Sequence, residues 1–146
     1  MILSEKDFLN NIEVWSVFYF KVLEVSIKIP HYFVVINKDI LTSPVLVLPV
    51  ATSKIEKRKK YYELQSNFLD KWSLIFVKPE ETNQILEKES VFDCNQIMIK
   101  TIQELYEKYI DKELDYVWVL PENLVLKLRE WVKLAKEIDN WIKDLV

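Results

Sequence analysis

Two apolar runs, residues 32–36 (YFVVI) and 45–50 (VLVLPV), lie within one stretch of the chain that reads HYFVVINKDILTSPVLVLPVATSK from His31 to Lys54. Side chains on a strand alternate between its two faces, so a run that is apolar at every position has to bury both of them. Both runs therefore read as strands covered above and below. The polar residues Asn37, Lys38 and Asp39 supply a turn between them. If the strands pair antiparallel across that turn, the start of the first meets the end of the second. His31, the only histidine, then shares an edge with Thr52, Ser53 and Lys54. An imidazole, two hydroxyls and an ammonium on a rigid edge can handle a phosphate. They can equally be the ordinary polar ends of two strands.

A chain of 146 residues is long enough for one domain with a real core, and no linker divides it, so residues 1–146 are read as a single domain. No apolar run approaches the roughly 18–20 residues of a membrane span. The first residues, MILSEKDFLNNIE, lack the basic start of a secretory signal. The one cysteine, Cys94, forms no internal disulfide. A cytoplasmic protein that needs no membrane is expected. Glycine is absent. That excludes the P-loop, the dinucleotide fingerprint and the kinase-type loop, and leaves turns to Asn, Asp, Ser and Pro.

The net charge of −3 makes no global case for nucleic acid. Locally, residues 54–60 (KIEKRKK) set five Lys/Arg against Glu56, a net +4, while 78–89 and 100–116 lean acidic. Such a field can steer a polyanion to one face, or the basic segment can be a solvated hairpin loop.

Ser4 and Asp7 mark a short helix over about residues 4–11. Residues 14–29 alternate as a long strand, bent or split, and Pro30 interrupts it. Further strands are expected at 61–65, 72–77, 90–100 and 116–120, with a turn at 67–71, a polar excursion of one helical turn at 80–88 and a helix over 101–110. From Pro121 onward, Leu124, Leu128, Trp131, Ala135, Ile138, Ile142 and Leu145 recur at steps of four and three. This predicts one long amphipathic helix of about seven turns. Its stripe suits packing on the chain's own sheet, or a partner-helix seam. The expected whole is a mainly β domain with helices: a strongly curved antiparallel sheet closed by the C-terminal helix.

A single His and a single Cys cannot build the usual zinc sets, and Asp39, Glu89 and Asp93 have no distinctive spacing, so neither metal nor cofactor is expected. Cys94 with His31 could form a nucleophilic pair, but a thiol inside a strand-like run reads better as buried and inert. RNA cleavage needs less, because the 2′-hydroxyl of the substrate is the nucleophile. The protein supplies a proton acceptor, a proton donor and hydrogen-bond donors to the phosphoryl oxygens. An imidazole, with an ordinary pKa of about 6.5, serves as acid or base at neutral pH. Thr52, Ser53 and Lys54 can donate to the phosphate. Lys57, Arg58, Lys59 and Lys60 can hold the backbone, and Tyr61, Tyr62 and Trp72 can stack on unpaired bases.

Three stretches, HYFVVINKDI, VLVLPVATSK and ESVFDCNQI, resemble in content and order the signature strands of the MazF/PemK toxins. The helix after residue 101, the strand to Leu120 and the final amphipathic segment follow in family order. The resemblance implies a small SH3-like antiparallel barrel, as in CcdB- and MazF-type toxins, usually a homodimer. It implies a metal-independent endoribonuclease that cuts single-stranded RNA and is blocked by an antitoxin with a disordered acidic tail. Carried over by position, His31 stands where the family has its catalytic Arg. Thr52 falls at or one residue beyond the catalytic Thr, because Ala51 looks inserted, and Ser53 follows. Ser90 and Gln96 match the later strand, which adds Gln96 to the RNA-binding candidates. An Arg replaced by His exchanges a fixed planar cation for a titratable ring. The extra Ala51 should bulge the strand or turn Thr52 to the other face. The family's glycine-rich first loop is missing, and residues 66–88 look longer than its norm. The expected function is a toxin of a type II toxin–antitoxin pair, with His31 as acid or base. Its rival is a catalytically inactive module on the same fold that binds a protein partner or RNA. A third is an ordinary intracellular β-domain whose His31 is structural.

Overall fold

The computed structural model of the chain describes residues 2–12, 16–22, 26–65 and 73–146. Ser4 opens helix α1 (Glu5–Asn11), its hydroxyl accepting from the Asp7 amide at 3.1 Å. That bond satisfies one of the donors a helix start leaves over. The expected stretch over residues 14–29 is a hairpin, β1 (Ser16–Val22) paired antiparallel with β2 (Ser26–Val34). Pro30 lies inside β2 and does not break it. The β1–β2 register shifts between Phe20 and Val22, opposite the proline, so its missing amide falls at an irregularity of the ladder. The expected turn at 67–71 lies outside the described residues, as does Trp72.

Next come β3 (Leu46–Thr52), α2 (Ile55–Leu64), β4 (Leu74–Val77) and a 3-10 turn at Pro79–Thr82. The remaining elements are β5 (Ser90–Lys100), α3 (Ile102–Ile110), β6 (Asp115–Val119), α4 (Glu122–Leu134) and α5 (Asn140–Lys143). The six strands form one antiparallel sheet in the order β4-β5-β3-β2-β1-β6.

Both faces of the sheet are buried, as the consecutive apolar runs require. Phe33, Leu46, Leu48 and Val50 pack on one side against Phe8 of α1 and Leu105 of α3. Val34, Ile36, Val47 and Phe92 pack on the other against Leu124, Leu128 and Val132 of α4 and Ile142 of α5. The result is a helix–sheet–helix sandwich. Closure of β4 onto β6 into the expected barrel is not found among the described residues. A small barrel buries the inner face of each strand, whereas these strands need cover on both.

Two local expectations are corrected. Residues 55–64 form α2 rather than a basic loop leading to a strand at 61–65. The single C-terminal helix is two: α4 ends at Leu134, capped by Ala135, whose backbone is extended (φ −65°, ψ 134°), and α5 begins at Asn140. The apolar stripe survives the break. Ala135, Ile138 and Ile142 all remain buried in the same cluster as Leu124 and Leu128. Arg129, on α4, ties this layer to the sheet by donating to the Ile36 and Asn37 carbonyls at 2.9 and 2.8 Å.

Without glycine, the left-handed positions fall to Asn83, Gln84 and Lys112, at φ of 53°, 65° and 60°. Lys112 closes α3 in a Schellman arrangement: its amide reaches the Tyr109 carbonyl, and the Glu113 amide reaches that of Lys108. No helix among the described residues is long and apolar enough to cross a membrane.

Candidate functional site

Tyr32 pairs with Ala51 and Phe33 with Val50 across β2 and β3. One step further along this register, His31 stands opposite Thr52. Alternation puts both on the face that carries Phe33 and Val50. The expected consequence of the extra Ala51 is thus resolved in one direction. Thr52 keeps to the face of His31, and the irregularity lies on the other side of β3. There Pro49 pairs with Ile97 and Ala51 with Phe92, so the four residues 93–96 of β5 lie opposite Val50 alone. Pro49 has no amide hydrogen to give a central ladder, and the break falls beside it.

His31 and Thr52 are both half-buried and line two adjoining clefts together with Lys54. The first, about 370 Å³, continues past Ser53 to Glu87, Lys88 and Ser90. The second, about 300 Å³, continues past Lys57 and Arg58 to Asp93 and Gln96. A third, about 460 Å³, shares Arg58, Asp93 and Gln96 with the second and runs on to Tyr61 and Glu137. The three join end to end along one end of the sheet. The Thr52 hydroxyl accepts from the Lys54 amide at 3.2 Å, which fixes the turn leaving β3.

Of the residues proposed from sequence, His31, Thr52, Ser53, Lys54, Lys57, Arg58, Tyr61 and Gln96 line this groove. Lys59 turns elsewhere: its Nζ lies 3.7 Å from Glu56 Oε1 and 5.1 Å from the centre of the Phe76 ring. Lys60 is exposed but lines none of the three clefts. Tyr62 is fully buried and cannot stack on a base. Its neighbour Tyr61 is 46% exposed and holds the Arg58 guanidinium 5.4 Å from its ring centre.

Tyr62 instead centres a polar network that the sequence did not announce. Its hydroxyl donates to Asp93 Oδ1. The Ser73 hydroxyl and the Asn95 amide each donate to the Tyr62 oxygen at 3.1 Å. Arg58 Nη1 stands 3.4 Å from Asp93 Oδ2, and the Asn95 backbone N–H donates to Asp93 Oδ1 with an N–O distance of 3.0 Å. Burial raises the Asp93 carboxyl above the usual carboxylate range, against the lowering pull of these partners. Burial likewise raises the Tyr62 phenol, which keeps it a donor. The network holds α2 to the bulge of β5 and so fixes one wall of the groove.

Cys94 points into the opposite core beside Phe92, is fully buried, and has its thiol pushed up to about 12 by burial. It is no partner for His31. Among the described residues, no group of three His, Cys, Asp or Glu side chains is placed to hold a metal ion. No protein-family model matches the sequence, and a search of curated proteins finds no significant match.

Proposed function

We propose that the groove binds single-stranded RNA and that its His31–Thr52 rim cleaves it. The chain would then be the toxin of a type II toxin–antitoxin pair, resembling MazF and PemK. In this reading the six-stranded sheet is an opened counterpart of the SH3-like barrel, the protein works in the cytoplasm, a homodimer is the working unit, and an acidic antitoxin tail competes for the groove.

The observation that carries the reading is the register of β2 on β3, which sets the imidazole opposite the hydroxyl with Lys54 beside both. His31 takes the proton of the 2′-hydroxyl or returns one to the leaving oxygen. As the 2′-oxygen bonds to phosphorus, the bond from phosphorus to the 5′-oxygen breaks. The products are a 2′,3′-cyclic phosphate and a 5′-hydroxyl. Thr52, Ser53 and Lys54 donate to the phosphoryl oxygens as charge builds on them. Lys57 and Arg58 hold the flanking backbone. The test is the single-turnover rate on a mixed-sequence RNA in excess EDTA. His31→Ala is expected to lose about a hundredfold or more, the range of general acid–base catalysis. A parent and a variant that cut equally fast remove His31 from the chemistry.

One observation favours the second reading, a module that binds RNA or a protein partner without cutting. Arg58 is paired with Asp93, so part of its charge is already answered before a phosphate arrives. Tight binding with no cleavage by the parent selects this reading.

A further inference from the structure

We infer that Asp93 is the built-in counter-charge of the groove: it holds Arg58 until a phosphodiester of the bound strand takes the guanidinium from it, and so sets how tightly the strand is gripped. This deepens the RNA reading above and rests on it for the ligand. Among the described residues lining the second cleft, of about 300 Å³, Asp93 is the one acid, beside Lys54, Lys57 and Arg58. Asp93 and Arg58 also line the adjoining cleft of about 460 Å³ together. An anion entering either cleft therefore meets the guanidinium with the carboxylate already beside it. That carboxylate answers part of the charge of Arg58 and repels a phosphate.

The two partners are not held alike. The Asp93 side chain is 6% exposed and that of Arg58 25%. Asp93 Oδ1 accepts from the Tyr62 hydroxyl and the Asn95 backbone N–H, while Oδ2 faces Arg58 Nη1 at 3.4 Å. That separation is longer than the roughly 2.7–2.9 Å of a tight charge-assisted bond. If Arg58 leaves, the carboxylate keeps both bonds to Oδ1. Arg58 packs its guanidinium over the exposed Tyr61, 5.4 Å from the ring centre, at the junction of the two clefts. The acid is the fixed partner and the arginine the movable one. A guanidinium offers five N–H donors in a fork that fits a phosphate, so a phosphodiester competes on better geometry than the 3.4 Å contact gives. Removing the charge of Asp93 should therefore strengthen anion binding. Loss of a side chain that only supports the fold does the reverse.

Binding is measured by fluorescence anisotropy with a 2′-O-methyl U6 hexamer, which has no nucleophile and cannot be cleaved. At about 50 mM salt, Asp93→Asn is expected to bind about five- to tenfold more tightly than the parent. The slope of log K against log salt should steepen by about 0.7, the value of one phosphate contact on a single strand. Arg58→Gln should weaken the parent, and in that background Asp93→Asn should return less than about twofold, because the acid acts through Arg58. The parent alone supplies a check should Asp93→Asn fail to fold by circular dichroism. The chain has two arginines, Arg58 and Arg129. On adding U6, the Arg58 Nε–Hε resonance should move, while that of Arg129, whose Nε donates to the Ile36 carbonyl, stays. An unmoved Arg58 resonance overturns the inference. So does a folded Asp93→Asn protein that binds U6 no more tightly than the parent, or a gain that survives in full without Arg58; either leaves the RNA reading in place. A parent that does not bind U6 at about 50 mM salt removes the RNA reading and the inference with it.

Discussion

The Tyr62 hydroxyl donates a hydrogen bond to the buried Asp93 carboxylate, joining the last turn of α2 to the four-residue bulge of β5. Ser73 and the Asn95 side chain donate to the same phenolic oxygen, and Asn95 Oδ1 accepts from the Glu137 backbone amide at 3.2 Å. One hydroxyl thus organises three segments. Tyr62→Phe keeps the ring and removes the oxygen, which takes one hydrogen bond each from Asp93, Ser73 and Asn95. A loss of about 1–3 kcal/mol is expected, the cost of buried polar groups left unsatisfied. An unchanged urea midpoint would show that water replaces the bond without penalty.

Stability should respond to pH through Asp93. Its folded pKa is raised above the ordinary value of 3.8, chiefly by burial. Folding therefore favours the protonated carboxyl. Its contribution is complete below about pH 3.8 and is lost as pH rises through the higher folded value. Asp93→Asn carries no charge and escapes this loss. Between about pH 3.5 and 7, the difference in urea midpoint should move in favour of the variant. Movement in favour of the parent would mean that Arg58 and Tyr62 outweigh burial.

Lys112 occupies a left-handed position at φ 60° that glycine adopts without strain. The amide bonds of the Schellman closure do not involve its side chain. Lys112→Gly is expected to stabilise the fold by about 0.5–1 kcal/mol. A lower melting temperature in calorimetry would contradict this.

Burial of Cys94 predicts an inert thiol. Iodoacetamide at about pH 8 should label it at least about a hundredfold more slowly in the native protein than in urea. Rapid native labelling, followed by mass spectrometry, would place the thiol within reach of solvent and reopen a role for it.

The parts of this architecture legible in the sequence are those where burial imposes a simple period. Ser90 and Lys100 bound β5 where expected, because an apolar strand ends there at a helix cap, Thr101. The both-face burial of Val34, Val35, Val47 and Leu48 follows from consecutive apolar positions. The opposition of His31 and Thr52 follows from pairing those two runs across a turn. α2 was hidden because it buries little: Tyr62 is its only fully buried side chain, so no 3.6-residue stripe marks it. The C-terminal stripe named the buried residues, but periodicity does not see a break that keeps Ile138 and Ile142 on the same side as Leu128. The Tyr62–Asp93 network draws on residues 62, 73, 93 and 95, far apart in the chain and ordinary in type. Only the bulge, invisible in composition, brings them together.

Whether the His31–Thr52 rim cuts RNA is read from a mass-spectrometric analysis of the ends left on a mixed-sequence RNA incubated in EDTA with the parent protein, beside the all-deoxy strand of the same sequence. Cleavage at the His31–Thr52 rim should leave 2′,3′-cyclic phosphate and 5′-hydroxyl ends on the RNA, an intact DNA, and background cutting by His31→Ala. RNA left whole by the parent at every pH from about 5 to 9, a span that brackets the ordinary imidazole pKa, would contradict it.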